Sequence, residues 1–330
     1  MAYTDIDKPS DYFNTKLYTG NGSSGHSITG VGFAPNFVWI KKRDGTPNHF
    51  LFDTVRGVQK ALNSNQNYAE STQSNALTAF GSDGFTVGSD GDVNSGSMVS
   101  WNWKESADAG FDIISYTGNG SSGRTISHNL SAVPSMIITK DRGNTEHWGS
   151  YHKSLPAGYN IYLNLTNAQD DNNSLYTTTA PTSSVYSVGN NNRTNGNGRN
   201  YISYVFAEKK GYSKFGSYKG NGNANGTFVY TGFKPAFVMI KSMNATKDWK
   251  MIDNKRNPAG LGGANPVRYR LAANEANTTS DDGDGQDFTS QGFKFRTTDS
   301  HMNGNGTQYL YMAFAEEPFV TSTGVPATAR

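Results

Sequence analysis

The sequence predicts an all-β fold, on three observations: a turn-rich, aromatic composition, strands with a period of two, and landmarks that recur three times in the same order. Only 35% of the 330 residues are hydrophobic while 12% are aromatic, so any core is thin and carried by large side chains. The 37 glycines sit among many Asn, Ser and Thr. Such residues weaken helices and favour tight turns, through positive φ or competing side-chain hydrogen bonds.

The recurrence begins with Tyr18-Thr19-Gly20-Asn21-Gly22-Ser23-Ser24-Gly25, which is repeated unchanged from Tyr116 to Gly123 and in altered form as Tyr218-Lys219-Gly220-Asn221-Gly222. The intervals are 98 and 102 residues (116−18 and 218−116). A proline then opens an apolar run ending near a lysine: Pro35 to Lys41, Pro134 to Lys140, Pro235 to Lys241. An aromatic follows, read as Phe50, Trp148 and Trp249. Later come Gly84 to Val87, Val185 to Val188 and Gly292 to Phe295, each followed by a polar Asn/Gly loop. Each unit closes with Val99 to Glu105, Tyr201 to Glu208 or Tyr309 to Glu316. Repetition at a fixed period is the sequence signature of a repeated structural unit.

The closing segments alternate as a half-buried strand must. Val99, Trp101 and Trp103 share one face, as do Ile202, Tyr204 and Phe206, and Leu310, Met312 and Phe314. The proline-led runs are apolar on both faces, as in a central strand. Six or seven strands per unit, with turns between, predict three tandem β-sandwich or jelly-roll-like repeats. Their expected bounds are 12–109, 110–210 and 211–320, with an N-terminal arm at 1–11 and a C-terminal tail at 321–330. Only residues 66–77 and 259–277 have the character of short helices.

The formal net charge of +2 and the lack of a basic stripe argue against nucleic-acid binding. There is no cysteine, so no disulfide framework. Met1 to Lys8 lacks the apolar run of a secretion leader, and no segment has the length of a membrane-spanning helix. The expectation is a protein made in the cytoplasm without membrane insertion.

Catalytic patterns are weak. None of the six histidines recurs in all three units, and no G-x-S-x-G elbow is present. Paired carboxylates would suffice for a glycosidase, and Glu105, Glu208 and Glu316 recur. Recurrence favours a structural role, with Lys41, Lys140 and Lys241 as expected partners inside each unit. Asp90-Gly91-Asp92-Val93-Asn94 fails as an EF-hand, because Ser95 and Trp101 stand where Gly and Glu are needed. The densest acidic stretch, Asp281 to Asp287, is read as a solvated loop, with Asp282, Asp284 and Asp287 as its calcium candidates. His147 and His152 lack a third ligand for zinc. The Gly20-Asn21-Gly22 segments lack a phosphate-binding pattern and read as turns. No cofactor is expected. Tyr151, Tyr159, Tyr162, Tyr176 and Tyr186 make the second unit richest in tyrosine, a pointer to a contact surface.

The ordered landmarks resemble a family of repeat domains of unknown function found in structural proteins of marine tailed phages. Tyr-Thr-Gly-Asn-Gly, the proline-led strand, Gly-Phe-Thr-Val-Gly and the closing Tyr311-Met312-Ala313-Phe314-Ala315-Glu316 carry it, together with the opening Asp11 to Leu17. The resemblance implies a non-enzymatic virion protein on the particle exterior: a tail or head fibre, or a capsid decoration. The second unit departs most, with Ser131-Ala132-Val133 where the others have Gly32-Phe33-Ala34 and Gly232-Phe233-Lys234. Such a protein is expected to bind other virion proteins and a host surface glycan or protein. A homo-oligomer is also expected, a trimer first, with the arm from Met1 to Ser10 reaching a neighbouring subunit or the particle. Loops 190–200 and 299–306 are expected to face solvent or host. The competing readings are a secreted or cell-surface carbohydrate-binding β-sandwich and a glycan depolymerase.

Overall fold

Strands dominate the computed structural model, which describes residues 4–257 and 265–326 but not the side chains of Asp282 and Asp284. The fold is all-β. Among the described residues the helices are a 3-10 turn at Pro9–Asp11 and one short α-helix at Gly91–Asn94. Among the described residues neither expected helix forms: 66–77 contains the strand Ser71–Thr72 and the start of Leu77–Gly81, and 265–277 contains the strand Val267–Ala272. Residues 259–264 of the second expected helix lie outside the described residues. The acidic stretch is not a loop either, since it belongs to the strand Ser280–Thr289.

One antiparallel strand order occurs three times. Phe13–Asn21 pairs with Ser95–Trp103, which pairs with Phe37–Lys42, which pairs with Phe50–Asp53. The second set is Phe111–Thr117, Asn200–Ala207, Pro134–Asp141 and Gly149–His152. The third is Ser213–Lys219, Gln308–Pro318, Phe233–Ser242 and Lys250–Asp253. The register is shared, because Phe37 faces Trp103, Met136 faces Phe206 and Phe237 faces Phe314. Pro35, Pro134 and Pro235 therefore occupy one topological place, where the ladder of the second and third sets is already irregular and a missing N–H is tolerated. The register corrects the aromatic landmark. Ile40, Thr139 and Ile240 face Phe50, Gly149 and Lys250, so the counterpart of Trp148 and Trp249 is His49. A slip of one residue changes the face of the sheet: Phe50 lies in a peripheral core while the two tryptophans lie at the centre.

A second layer covers the outer face of each sheet. His26–Thr29 pairs with Gly84–Val87 and Arg124–Ser127 with Val185–Val188. In the third set Phe228–Tyr230 pairs with Gly292–Phe295, and further pairing merges both layers into one eight-stranded, nearly closed sheet.

The cores explain the alternation. Residues on one face of the proline-led strands (Val38 and Ile40, Ile137, Val238 and Ile240) pack into three peripheral cores beneath the outer layers. The opposite face sends Phe37, Trp39, Ile138, Phe237 and Met239 into a fourth core shared by all three sets. All nine apolar residues of the closing alternation also lie there. The sequence implied that each unit buries its own core; the structure adds a larger common one. At its centre the equivalent rings of Trp103, Phe206 and Phe314 meet edge to face, with centroids 6.4, 5.8 and 6.0 Å apart.

The arm belongs to this assembly. Thr4 and Ile6 are buried, Asp5 N–H donates to the Lys210 carbonyl at 3.0 Å, and Ile6 joins the common core. From Thr4 onward the arm is held against its own chain. Asp7 in turn accepts from Ser322 N–H at 2.6 Å, tying arm to tail.

Polar contacts close the three sets into a ring. Tyr204 donates to Asp53 at 2.8 Å, Trp101 Nε1 donates to Asp253 at 3.0 Å, and His152 Nε2 meets the Tyr311 carbonyl at 3.1 Å. Asp53 and Asp253 are fully buried against Arg56 and Arg256 at 2.5 and 2.6 Å. In the second set His152 and Leu155 occupy the corresponding places, and burial pushes the His152 imidazole down to about 4. His152→Asp should therefore strand a carboxylate with neither an arginine nor a closing-strand donor, only the Ser154 N–H that now meets His152 Nδ1 at 3.1 Å, and cost about 3–5 kcal/mol. Adding Leu155→Arg should recover part of it. Urea denaturation checks this, and a neutral His152→Asp would contradict the ring.

Candidate functional site

The Tyr-x-Gly-Asn-Gly motif is a structural lock. Tyr18, Tyr116 and Tyr218 each donate at 2.6 Å to a backbone carbonyl, of Val93, Thr194 and Met302. The next residue is in each case a fully buried asparagine. Asn94, Asn195 and Asn303 accept from the backbone N–H of Asn21, Asn119 and Asn221 at 3.0–3.1 Å. Their amides donate to the side chains of the same three asparagines and to two further carbonyls. Gly20, Gly118 and Gly220 must lack a Cβ, which would lie 2.1–2.4 Å from the backbone of the loop that carries the buried asparagine. Loops 190–200 and 299–306, expected to face solvent or host, thus have buried centres.

The recurring acids and amines are also taken up structurally, but not by each other. Lys41, Lys140 and Lys241 pair with Val99, Ile202 and Leu310, six residues before the acids, or roughly 20 Å along a strand. Each ammonium donates instead to two carbonyls near its hairpin: Lys42 and Gly45, Asp141 and Asn144, Lys247 and Thr166. Burial lowers all three to about 8. Glu208 lies between Lys153 and Lys214 at 2.5 and 2.6 Å, and Glu316 meets Lys234 at 2.5 Å. Burial alone would raise the Glu208 carboxyl; the two amines outweigh it and hold it low. Glu105 has no such amine. It accepts from Ile113 N–H at 3.1 Å, across the junction to the next unit. Burial, then the neighbouring Asp112 carboxyl and the charge of Asp53, raise it to about 7.

A cleft of about 540 Å³ holds a cluster of charges that the sequence does not single out. His301 Nδ1 meets Asp299 at 3.0 Å and its Nε2 meets Asp248 at 3.4 Å. Lys250 and Arg270 complete the cluster at 3.3 and 2.8 Å. The two carboxylates, Asp248 first, raise the His301 pKa. With both nitrogens engaged by carboxylates, this imidazole cannot take a proton from a nucleophile in the manner of a triad. The cluster braces the turn that places Asn303. Its signal was spread over residues 248–301, which no local motif links.

The remaining candidates separate. Asp287 pairs with Arg296, and Asp282 and Asp284 are calcium candidates whose side chains lie outside the described residues. Among the described residues no cluster has the ligands of a metal site. His147 bonds Asn164 and His152 is buried at a unit boundary. The tyrosine-rich second unit does not display its tyrosines: Tyr162, Tyr176 and Tyr186 are buried and Tyr151 and Tyr159 half-buried. Among the described residues the exposed aromatics are Tyr68, Phe228 and Tyr230.

Residues 8–318 match a family model described as "Domain of unknown function (DUF7483)". No curated protein and no solved structure matches the chain.

The Glu105 carboxyl is raised in the fold above its ordinary 4.5, so its contribution to stability is present below about 4.5 and is lost as pH rises to about 7. Glu105→Gln keeps an acceptor for Ile113 and gives Asp112 a permanent donor. The variant should therefore gain stability over the parent as pH goes from 5 to 8. Thermal melts of both proteins across that range test this, and a constant difference would refute it.

Proposed function

Because the chain belongs to the DUF7483 family, whose description carries no activity, we propose its role from chemistry: a non-enzymatic structural protein on the exterior of a bacteriophage particle, contributing to contact with the host surface. The observation that carries the non-enzymatic part is the fate of the recurring polar groups. Three lysines, three glutamates and three buried asparagines serve hydrogen bonds and ion pairs within the fold. An active site concentrates perturbed groups at one cleft with free lone pairs or protons. In the cleft that carries His301 the histidine is engaged on both nitrogens.

The virion assignment draws on the ordered landmarks and their resemblance to phage structural repeats. A fused all-β body with a common core suits a rigid external part. Homo-oligomerisation, a trimer first, belongs to the same proposal, since external attachment proteins multiply weak contacts through copy number. A carbohydrate-binding protein is the second reading, favoured by the exposed Phe228 and Tyr230.

Mass spectrometry of purified particles should find this chain at many copies, and its absence would end the virion assignment. Purified protein should release neither sugar nor peptide from host envelopes; sustained turnover abolished by Asp248→Asn or Glu105→Gln would overturn the non-enzymatic reading.

A further inference from the structure

The three outer strands offer an internal control on function. Ile28 faces Phe85, Ile126 faces Tyr186 and Val229 faces Phe293. At all three places the central residue is buried and its two neighbours point outward. The outward pair is Ser27 and Thr29 in the first unit and Thr125 and Ser127 in the second. In the third it is Phe228 and Tyr230, 44% and 60% exposed. Two units form the same strand with small hydroxyl residues, so the fold does not need aromatics there. An exposed aromatic pair at a place that tolerates serine and threonine points to a contact outside the chain.

The surroundings define its chemistry. Tyr230 forms one wall of a groove of about 510 Å³, with Phe319, Asp5, Glu208, Lys210 and Lys214 also on it. Its carboxylates are held in place: Glu208 by Lys153 and Lys214 at 2.5 and 2.6 Å, Asp5 by the Lys210 N–H at 3.1 Å. Fixed carboxylates beside an exposed ring favour a ligand with an apolar face and many hydroxyl donors. They disfavour a phosphate backbone, as does a net charge of only +2. Phe228 lies two residues along the same face, about 7 Å away, and extends the strip beyond the groove. The strand is only three residues long, which gives little ladder for an added strand from another chain.

We propose that Tyr230, Phe228 and the adjoining groove form a saccharide subsite, the rings stacking on pyranose C–H faces and Glu208 and Asp5 accepting sugar hydroxyls. This deepens the proposal of a host-contacting exterior protein and rests on it. The test is retention of the full chain on an array of purified bacterial O-antigen and capsular polysaccharides. At least one polysaccharide should be retained. Tyr230→Ser and Phe228→Thr, which copy the other units, should melt as the parent does and weaken retention about ten-fold. Tyr68→Ser, removing an exposed ring elsewhere, should bind as the parent does. Retention of no polysaccharide, or equal binding by the parent and both strip variants, would overturn the subsite. So would self-association lost in Tyr230→Ser, which would make a second copy the occupant. Particle mass spectrometry decides virion membership without reference to sugar binding, so the two failures are separable.

Discussion

The edge-to-face meeting of Trp103, Phe206 and Phe314 sets the terms for the rest of the molecule. Each ring comes from the same place on a closing strand, and each touches the other two. Such pairs add about 0.5–1.5 kcal/mol each beyond the area they bury, and they are available only if all three sheets turn the same face inward. That requirement fixes the period-two pattern of the closing strands and makes the proline-led strands apolar on both sides. It also separates two kinds of burial. The peripheral cores hold each sheet to its own outer layer; the common core holds the sheets to one another.

An apolar centre constrains the charges around it. Where the neighbouring closing strand supplies a donor, Trp101 or Tyr204, the receiving hairpin ends in a buried aspartate neutralised by an arginine three residues on. Met312 occupies the corresponding place on the third closing strand and has no donor. The hairpin facing it carries His152, which meets a backbone carbonyl, and Leu155 in place of the arginine. A buried carboxylate without its donor and cation is strongly unfavourable, so all three residues differ together. The departure of the second unit, visible in the sequence at Ser131-Ala132-Val133, thus also reaches its interior.

Strand character and the equivalence of the three prolines were legible in the sequence, because alternation and order are local properties. The common core was not. A strand buried on both faces looks the same whether its second face meets its own unit or two others. The aromatic landmark failed for a related reason: Phe50 and His49 are adjacent, only pairing register distinguishes them, and the match to tryptophan favoured the wrong one. The acids and lysines recur in all three units. They were mispaired because both recur, while their separation along the strand appears only once Lys41 is seen opposite Val99. The Asp248–His301–Asp299 cluster, assembled from distant segments, left no sequence pattern to find.

The same comparison between units separates structure from function more sharply than conservation of pattern does. Groups present in all three units, such as Asn94, Asn195 and Asn303, hold the strand to its loop and do so identically. Groups that vary inside the fold, such as Asp53, His152 and Asp253, vary in step with a partner. Phe228 and Tyr230 fit neither class. They differ from the corresponding residues of the other two units, they are exposed, and the strand beneath them keeps the same buried centre and the same pairing. Among the described residues no hydrogen bond, ion pair or ring contact accounts for the change, and the groove beside Tyr230 limits what an outside contact could be.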